Sequence, residues 1–518
     1  PNAGDQEPLA EYRIANVKTS SVDKDATAAV LKYADFSHYA DYFNGMEDEN
    51  IAQAIPNAKA SEWMEENIPL FECPQRNFEE MYYYRWWSLR KHIKETPVGY
   101  GMTEFLVQRS YSDKYNLIAC AIGHHIYESR WLRDPKYLDQ IIHTWYRGND
   151  GGPMNKMNKF SSWNADAVLA RYMVDADKDF MLDMKENLEA EYQRWECTNR
   201  LQNGLYWQGD VQDGMEESIS GGRKKKYARP TINSYMYGNA KALSLMGILS
   251  DDEGMAMRYG MRADTLKRLV KDKLWNSRHQ FFETMRADSS ANVREAIGYI
   301  PWYFNLPDTV KQYEVAWKEI MDENGFSAPY GLTTAERRHP EFRTHGVGKC
   351  EWDGAIWPFA SAQTLTAMAN FMNNYPQTVL SDSVYFRQME LYVESQYHRG
   401  RPYIGEYLDE VTGYWLKGDQ ERSRYYNHST FNDLMITGLI GLRPRLDDTV
   451  EVNPLIPADK WDWFCLDNVL YHGRNLTILW DKYGDRYHRG KGLRIFVDGK
   501  QVGYADRLTR IICENVLK

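Results

Sequence analysis

From about residue 60 to residue 440, apolar side chains recur at steps of three and four. Met181, Met184, Leu188, Tyr192 and Trp195 form one such run, a single apolar face of an amphipathic helix. Similar stretches occur around 76–92, 113–131, 135–146, 162–174, 231–248, 254–273, 309–323, 355–372 and 382–396. Between them lie loops rich in Gly, Pro, Asn and Asp, such as Arg147 to Pro153 and Asn324 to Gly331. Many helices joined by long aromatic and polar loops predict a closed toroid of paired helices, with loops at one end converging on a pocket. No fixed sequence period of about 30–45 residues supports an α-solenoid instead.

The flanks read differently. Residues 1–59 alternate polar and acidic pieces (Ser20 to Asp25, Glu47 to Asn50) with aromatic ones (Tyr33, Phe36, Tyr39, Tyr42, Phe43), which predicts an N-terminal arm wrapped on the main body. Beyond 443, Val450-Glu451-Val452, Leu476 to Trp480 and Leu493 to Val497 have strand character. Val497-Asp498-Gly499-Lys500 is a hairpin signal, because Asp-Gly accepts the positive φ angles of a two-residue type I′ loop. Residues 444–518 are therefore expected to form a small antiparallel β unit.

Composition narrows the class. A chain of 518 residues is too long for one simple core. With 43% hydrophobic and 26% charged residues it is globular in composition. The net charge of −10 argues against a nucleic-acid partner, whose phosphates it would repel. No run approaches the roughly 18 apolar residues of a membrane span. Six cysteines (Cys73, Cys120, Cys197, Cys350, Cys465, Cys513) follow neither a zinc nor a disulfide spacing, so free buried thiols are predicted. Position 1 is proline, which fits a removed leader segment and a periplasmic or secreted location. The oligomeric state is left open.

The stretch Asp210-Val211-Gln212-Asp213-Gly214-Met215-Glu216-Glu217-Ser218 holds four carboxylates. Tyr206, Trp207 and four glycines (Gly209, Gly214, Gly221, Gly222) bracket it, and a helix is expected to start near Thr231. Acids on a glycine-rich loop between ordered elements are placed where function concentrates; a solvated loop or a calcium site is the plain alternative. The basic run Arg223-Lys224-Lys225-Lys226 that follows is expected to be a solvated face.

A second acidic site lies far down the chain. Glu351-Trp352-Asp353-Gly354-Ala355-Ile356-Trp357-Pro358 sets two tryptophans beside two acids, a pattern suited to a sugar subsite. Aromatic rings stack on apolar sugar faces while carboxylates take hydroxyl hydrogen bonds. The alternative is a helix N-terminus with acids near its positive end. Glu406 follows, flanked by Tyr403 and Tyr407. Hydrolysis of a glycosidic bond needs such a pair: one carboxyl protonates the leaving oxygen and the other activates water. Glu104 and Arg109 are candidate hydroxyl binders, with a structural ion pair as alternative. His124 and His125 are adjacent, so their imidazoles diverge and a metal site is not expected; an Arg–Asp pair from Arg130 or Arg133 with Asp134 is expected beside them. No phosphate loop or nucleophile elbow appears, and nothing calls for an organic cofactor.

Residues from about 100 to 445 resemble the (α/α)6-barrel inverting glycoside hydrolases grouped around family 63, the processing α-glucosidases and mannosylglycerate hydrolases, and the trehalases. Gly214-Met215-Glu216-Glu217-Ser218 stands where that family carries its acid segment, with Glu in place of the usual Asp. Trp352-Asp353-Gly354-Ala355-Ile356-Trp357-Pro358 matches the family's Trp-x-Gly-x-x-Trp-Pro, and Glu406-Tyr407 with Thr412-Gly413 fits its base segment. The trailing β unit resembles the sheet appended to several bacterial barrel glycosidases. The resemblance implies a mainly α fold, an (α/α)6 barrel over 60–443. It implies an exo-acting inverting hydrolase of an α-linked glycosidic bond, with a carbohydrate substrate. Glu216 would be the acid, with Asp213 or Glu217 as alternatives, and Glu406 the base. Trp352, Asp353, Trp357, Glu351, Glu104, Arg109, Tyr407 and Trp207 would bind substrate. A polysaccharide lyase, a non-catalytic glycan-binding protein of the same fold and a sugar epimerase are the rival readings.

Overall fold

Two kinds of helix build the body. Lys178–Asn199 buries one stripe, Met181, Met184, Leu188, Tyr192 and Trp195, and turns its remaining faces largely to solvent. Pro230–Leu249 is buried on nearly all sides over its first four turns. A helix apolar around its circumference belongs inside, and one with a single stripe lies outside against it. In the computed structural model, which describes residues 29–344 and 351–518, the two kinds alternate along the chain. Ser20–Asp25 of the arm and Cys350 lie outside the described residues.

The elements in chain order are α1 (Ser37–Asn44), α2 (Ala60–Asn67), β1 (Leu70–Glu72), α3 (Arg76–Lys91), the hairpin β2 (Ile93–Thr96) and β3 (Gly99–Met102), α4 (Ile122–Ser129), α5 (Lys136–Arg147), α6 (Asn164–Asp175), α7 (Lys178–Asn199), α8 (Pro230–Leu249), α9 (Glu253–Leu274), α10 (Pro358–Asn374) and α11 (Asp382–Ser395). The buried members touch in sequence: α4 meets α6, α6 meets α8, and α8 meets the short turns of 296–303. Those turns meet α10, α10 meets 432–439, and the start of that last segment returns to α4. Close approach is specified in the sequence. A Cβ on Gly123 of α4 would lie 2.2 Å from the Trp163 ring, and one on Gly238 of α8 would lie 2.2 Å from Phe304. Proline opens both α8 and α10, at a position whose N–H has no helical partner. Asp177 and Asp252 cap α7 and α9 by accepting from Phe180 N and Met255 N.

The aromatic residues of the N-terminal region pack on α3. Phe36 and Tyr39 stack on Tyr83 with ring centroids 5.0 and 5.1 Å apart. At the other end of the chain are β4 (Val450–Val452), β5 (Trp463–Tyr471), β6 (Arg474–Asp481), β7 (Gly492–Val497), β8 (Lys500–Ala505) and β9 (Ile511–Cys513). The antiparallel sheet runs β1-β5-β6-β7-β8, so its first strand comes from residues 70–72. β4 pairs with β9 instead. Asp498 and Gly499 turn the β7–β8 hairpin with φ of 47° and 75°, as the Asp-Gly pair predicts.

Some expectations need correction. The predicted helix over 113–131 forms only as Ile122–Ser129, because Tyr115 and Asn116 adopt left-handed φ of 61° and 65° and break the preceding turns. The predicted helix over 309–323 is a single α turn, Lys311–Glu314, followed by the tighter 3-10 turns of Val315–Ile320. There Trp317 is drawn onto Phe371 and Tyr299. Cys197 is exposed, on the side of α7 away from its apolar stripe, while Cys73, Cys120, Cys465 and Cys513 are buried. Arg130 pairs at 2.8 Å with Asp433, not with Asp134.

The segment Asn432–Leu439, a short α turn running into a π-helical turn, has no periodic signature in the sequence. Its start is capped from about 300 residues away: the buried Glu128 carboxylate of α4 accepts from the backbone N–H groups of Phe431, Asn432 and Asp433 at 2.8–3.2 Å. Both carboxylate oxygens are acceptors there. Glu128→Gln turns one of them into a donor facing N–H groups, and leaving buried donors unmatched costs about 2–3 kcal/mol. Thermal or urea denaturation of this variant should show that loss, and stability equal to wild type would contradict the capping role.

Candidate active site

The acidic loop sorts its four carboxylates into different environments. Asp210–Asp213 forms a 3-10 turn, and Gly214 ends it in a left-handed conformation with φ of 75°. A Cβ on Gly214 would come within 3.0 Å of the Cys120 sulfur and 3.3 Å of Trp357, so glycine is required by both conformation and space. Asp213 is fully buried. It accepts from Arg229 Nε (2.8 Å), Gln208 Nε2 (2.8 Å) and Thr231 Oγ1 (2.6 Å). Arg229 Nη1 donates to Ser220 Oγ at 3.0 Å, and Ser220 in turn is held by buried Glu295. The loop is thereby riveted at both ends. Asp210 is also buried, and burial pushes its carboxyl up to about 6. Glu217, with φ of 69°, pairs at 3.1 Å with Arg223, which begins the exposed basic run.

Glu216 is the carboxylate presented to the aromatic wall. Trp352 Nε1 donates to its Oε2 at 3.3 Å. Burial pushes the Glu216 carboxyl above the ordinary glutamate range, partly offset by hydrogen bonds, that from Trp352 among them. Trp352 stacks on Trp357 (4.4 Å between ring centroids), Trp357 on Phe359 (4.5 Å), and Tyr407 meets Trp352 edge-on (5.1 Å). The segments carrying Trp352 and Glu406 are laced together by reciprocal 3.0 Å backbone bonds between Ile356 and Leu408. Glu406 lies beside Tyr407 and is ion-paired twice, with Arg422 Nη2 at 2.8 Å and Lys417 Nζ at 3.3 Å. The Lys417 ammonium sits 4.9 Å from the centre of the Tyr407 ring.

Glu104 joins the same space. It follows the β2–β3 hairpin and is buried. Tyr426 donates its hydroxyl proton to Glu104 Oε1 at 2.7 Å, and Asn427 N donates to the Glu104 carbonyl at 2.9 Å. Burial, reinforced by the charges of Glu406 and Glu216, pushes the Glu104 carboxyl up to about 8. Contacts link the three carboxyls: Arg422, which holds Glu406, lies 5.6 Å over the ring of Phe105 beside Glu104, and Trp352, which holds Glu216, meets Tyr407 beside Glu406.

Other predicted residues serve different contacts. Glu351 is fully buried and paired at 2.8 Å with Arg343, which also pairs with Glu410. Asp353 is fully buried behind Trp352, and its carbonyl accepts from Arg343 N. Arg109 stacks over Phe105 and Tyr111 (5.3 and 5.4 Å) and makes no ion pair with Glu104. Trp207 carries the Lys226 ammonium over its ring at 4.5 Å and bonds back to the end of α7. His124 and His125 are buried, pushed down to about 3 and about 4 by burial; His124 packs on Trp163 and Phe359, and His125 bonds to the Asn427 carbonyl. Among the described residues no group of three or more His, Cys, Asp or Glu is arranged to hold a metal ion. Arg422, Lys417 and Tyr426 were not singled out from the sequence. Their signal was proximity: the run from Lys417 to His428 follows the Glu406 loop and is rich in cations and aromatics.

A family profile described as the mannosylglycerate hydrolase MGH1-like glycoside hydrolase domain matches residues 114–429. The C-terminal domain of glycosyl hydrolase family 65 matches residues 442–503. A solved structure named Sialidase is 91% identical over 96% of this chain, with a TM-score of 0.94; the chain spans 46% of that protein's length. A GH63 mannosylglycerate hydrolase from Thermus thermophilus in complex with glucose is 13% identical with a TM-score of 0.51, over 69% of this chain and 99% of that one. A GH78 family rhamnosidase of Bacillus sp. GL1 is 10% identical with a TM-score of 0.57, over 83% of this chain and 41% of that one. The last two are likenesses of fold.

Proposed function

Because this chain belongs to the family of the mannosylglycerate hydrolase MGH1-like glycoside hydrolase domain, we propose that its pocket cleaves an α-linked glycosidic bond at the end of a glycan, with inversion of configuration. The catalytic unit is an (α/α)6 barrel spanning 60–443. The cyclic order of contacts from α4 through α6, α8, 296–303, α10 and 432–439 back to α4 supports that architecture.

The observation that carries the reading is the contrast between two carboxyls linked through the contact of Trp352 with Tyr407. Glu216 is half-buried against aromatic rings, and burial raises its carboxyl above the ordinary glutamate range. Glu406 is paired with two cations. An acid set against aromatic rings suits the proton donor, and a carboxylate held by two cations suits the proton acceptor. Glu216 protonates the glycosidic oxygen as the bond from the anomeric carbon to that oxygen breaks. Glu406 takes a proton from the water that attacks the anomeric carbon on the opposite face. An inverting pair stands roughly 6.5–9.5 Å apart to admit that water. Asp213, locked by Arg229, and Glu217, turned to Arg223, are poorly placed for the donor role. Trp352 and Tyr407 supply the aromatic wall for the sugar.

The 91%-identical relative carries the name sialidase, so sialosides are the second substrate class. The test is sugar release from a panel of α- and β-linked glucosides, mannosides, rhamnosides and sialosides. Release from an α-linked member supports the reading. An unsaturated product would indicate a lyase. Saturable sugar binding with no release would indicate a binding protein.

A further inference from the structure

Glu104 is the third carboxyl of the pocket and has no part in the two-acid scheme. It is 6% exposed. Its Oε1 is engaged by the Tyr426 hydroxyl, while its Oε2 is buried and meets no hydrogen-bond partner. Leaving a buried polar atom without a partner is unfavourable, which points to a partner supplied from elsewhere.

The surroundings decide which kind of partner. The groups that face Glu104 are the hydroxyl of Tyr426, the carboxyls of Glu406 and Glu216, the guanidinium of Arg422, the phenol of Tyr111 and the thiol of Cys120. Arg422 is the cation of this set, and it is committed to Glu406 at 2.8 Å. An ionised Glu104 would thus be a second negative charge beside Glu406, out of water and held by one neutral hydrogen bond. A protonated Glu104 removes that repulsion and leaves an O–H that no protein acceptor takes up. A carboxylic acid in this form offers one donor in addition to its acceptors.

We propose that Glu104, a substrate binder by the family resemblance, binds as a neutral carboxylic acid whose Oε2–H donates a hydrogen bond to a sugar oxygen held between Glu216 and Glu406. Tyr426, donating to Oε1, fixes the carboxyl so that the proton resides on Oε2. The acceptor is a hydroxyl or ring oxygen of the glycone, and the contact selects for sugars that place an oxygen there. This deepens the glycosidase reading and rests on it. Burial and the neighbouring acids push the Glu104 carboxyl up to about 8, which keeps the donor in place at neutral pH and removes it in alkali.

Two measurements on the full chain test it, with Glu104→Gln and Glu104→Leu beside wild type. The first is the infrared difference spectrum of wild type minus Glu104→Gln across pH 6 to 10. A protonated carboxyl band is expected at neutral pH, giving way to carboxylate near pH 8; carboxylate alone at pH 7 would overturn the proposal whether or not the protein hydrolyses anything. The second uses the glycoside most readily cleaved in the panel. Glutamine keeps neutrality and an N–H donor, so its kcat/KM falls by less than about tenfold. Leucine removes the donor, and its KM rises by about 30-fold or more with a smaller change in kcat. Equal losses in the two variants, at unchanged melting temperature, would overturn the donor role. No turnover by wild type would sink the glycosidase reading and leave the infrared result to judge Glu104.

Discussion

Glu216→Gln and Glu406→Gln should each lower kcat by about 10³–10⁴-fold, the scale of a general acid or base. The two losses are separable. A leaving group that departs without protonation, such as a nitrophenolate or fluoride, bypasses the acid. Glu216→Gln therefore recovers much of its activity on activated glycosides, and Glu406→Gln does not, because it cannot activate water for any of them. Steady-state kinetics on matched activated and unactivated substrates reads the difference. Equal losses on both would move the acid elsewhere. The pH profile carries a sign as well. As the proposed acid Glu216 must work protonated, and its carboxyl is raised by burial above the ordinary value of about 4.3. Activity is therefore retained above that value and declines as pH rises through the raised one, a limb that Glu216→Gln on an activated substrate lacks.

Arg229→Leu is expected to destabilise the protein by about 3–5 kcal/mol, because it leaves Asp213 charged, fully buried and without its cation. The damage reaches the site. Arg229 ties Asp213 to Ser220, so the loop that presents Glu216 loses the cation that links its two ends. The double variant Asp213→Asn with Arg229→Leu removes the orphaned charge and should regain a large part of the stability without regaining activity. Urea denaturation and turnover, measured on the same preparations, check this. A double variant no more stable than Arg229→Leu would mean that the pair acts independently.

The sequence made the outer helices legible because they bury a single stripe. Met181 to Trp195 lie where a period of 3.6 puts them. The buried helices are harder to read, since a helix apolar on most faces has weak periodicity, as in α8, and the segment 432–439 has none. That last element depends on Glu128, whose position opposite it exists only in the folded chain. The carboxylates were legible as types and loops but not as individuals. Nothing local distinguishes Asp213, Glu216 and Glu217. Their separation arises from Arg229, Trp352 and Arg223, of which Trp352 comes from more than a hundred residues away. Glu351 and Asp353 looked like a subsite because they flank Trp352, yet Glu351 faces Arg343 within the wall. Arg422, Lys417 and Tyr426 were overlooked because cations and tyrosines are too common to stand out until the fold sets them against Glu406 and Glu104.

The pairing of Glu216 as acid with Glu406 as water-activating base is tested most directly by the configuration of the first sugar released. Proton NMR of an α-linked glycoside during the opening minutes of hydrolysis, before mutarotation, reads it. The account predicts that the β-anomer appears first and that neither Glu216→Gln nor Glu406→Gln forms it at a comparable rate. Initial release of the α-anomer would contradict it, since retention requires a carboxylate to attack the anomeric carbon itself rather than deliver water to it.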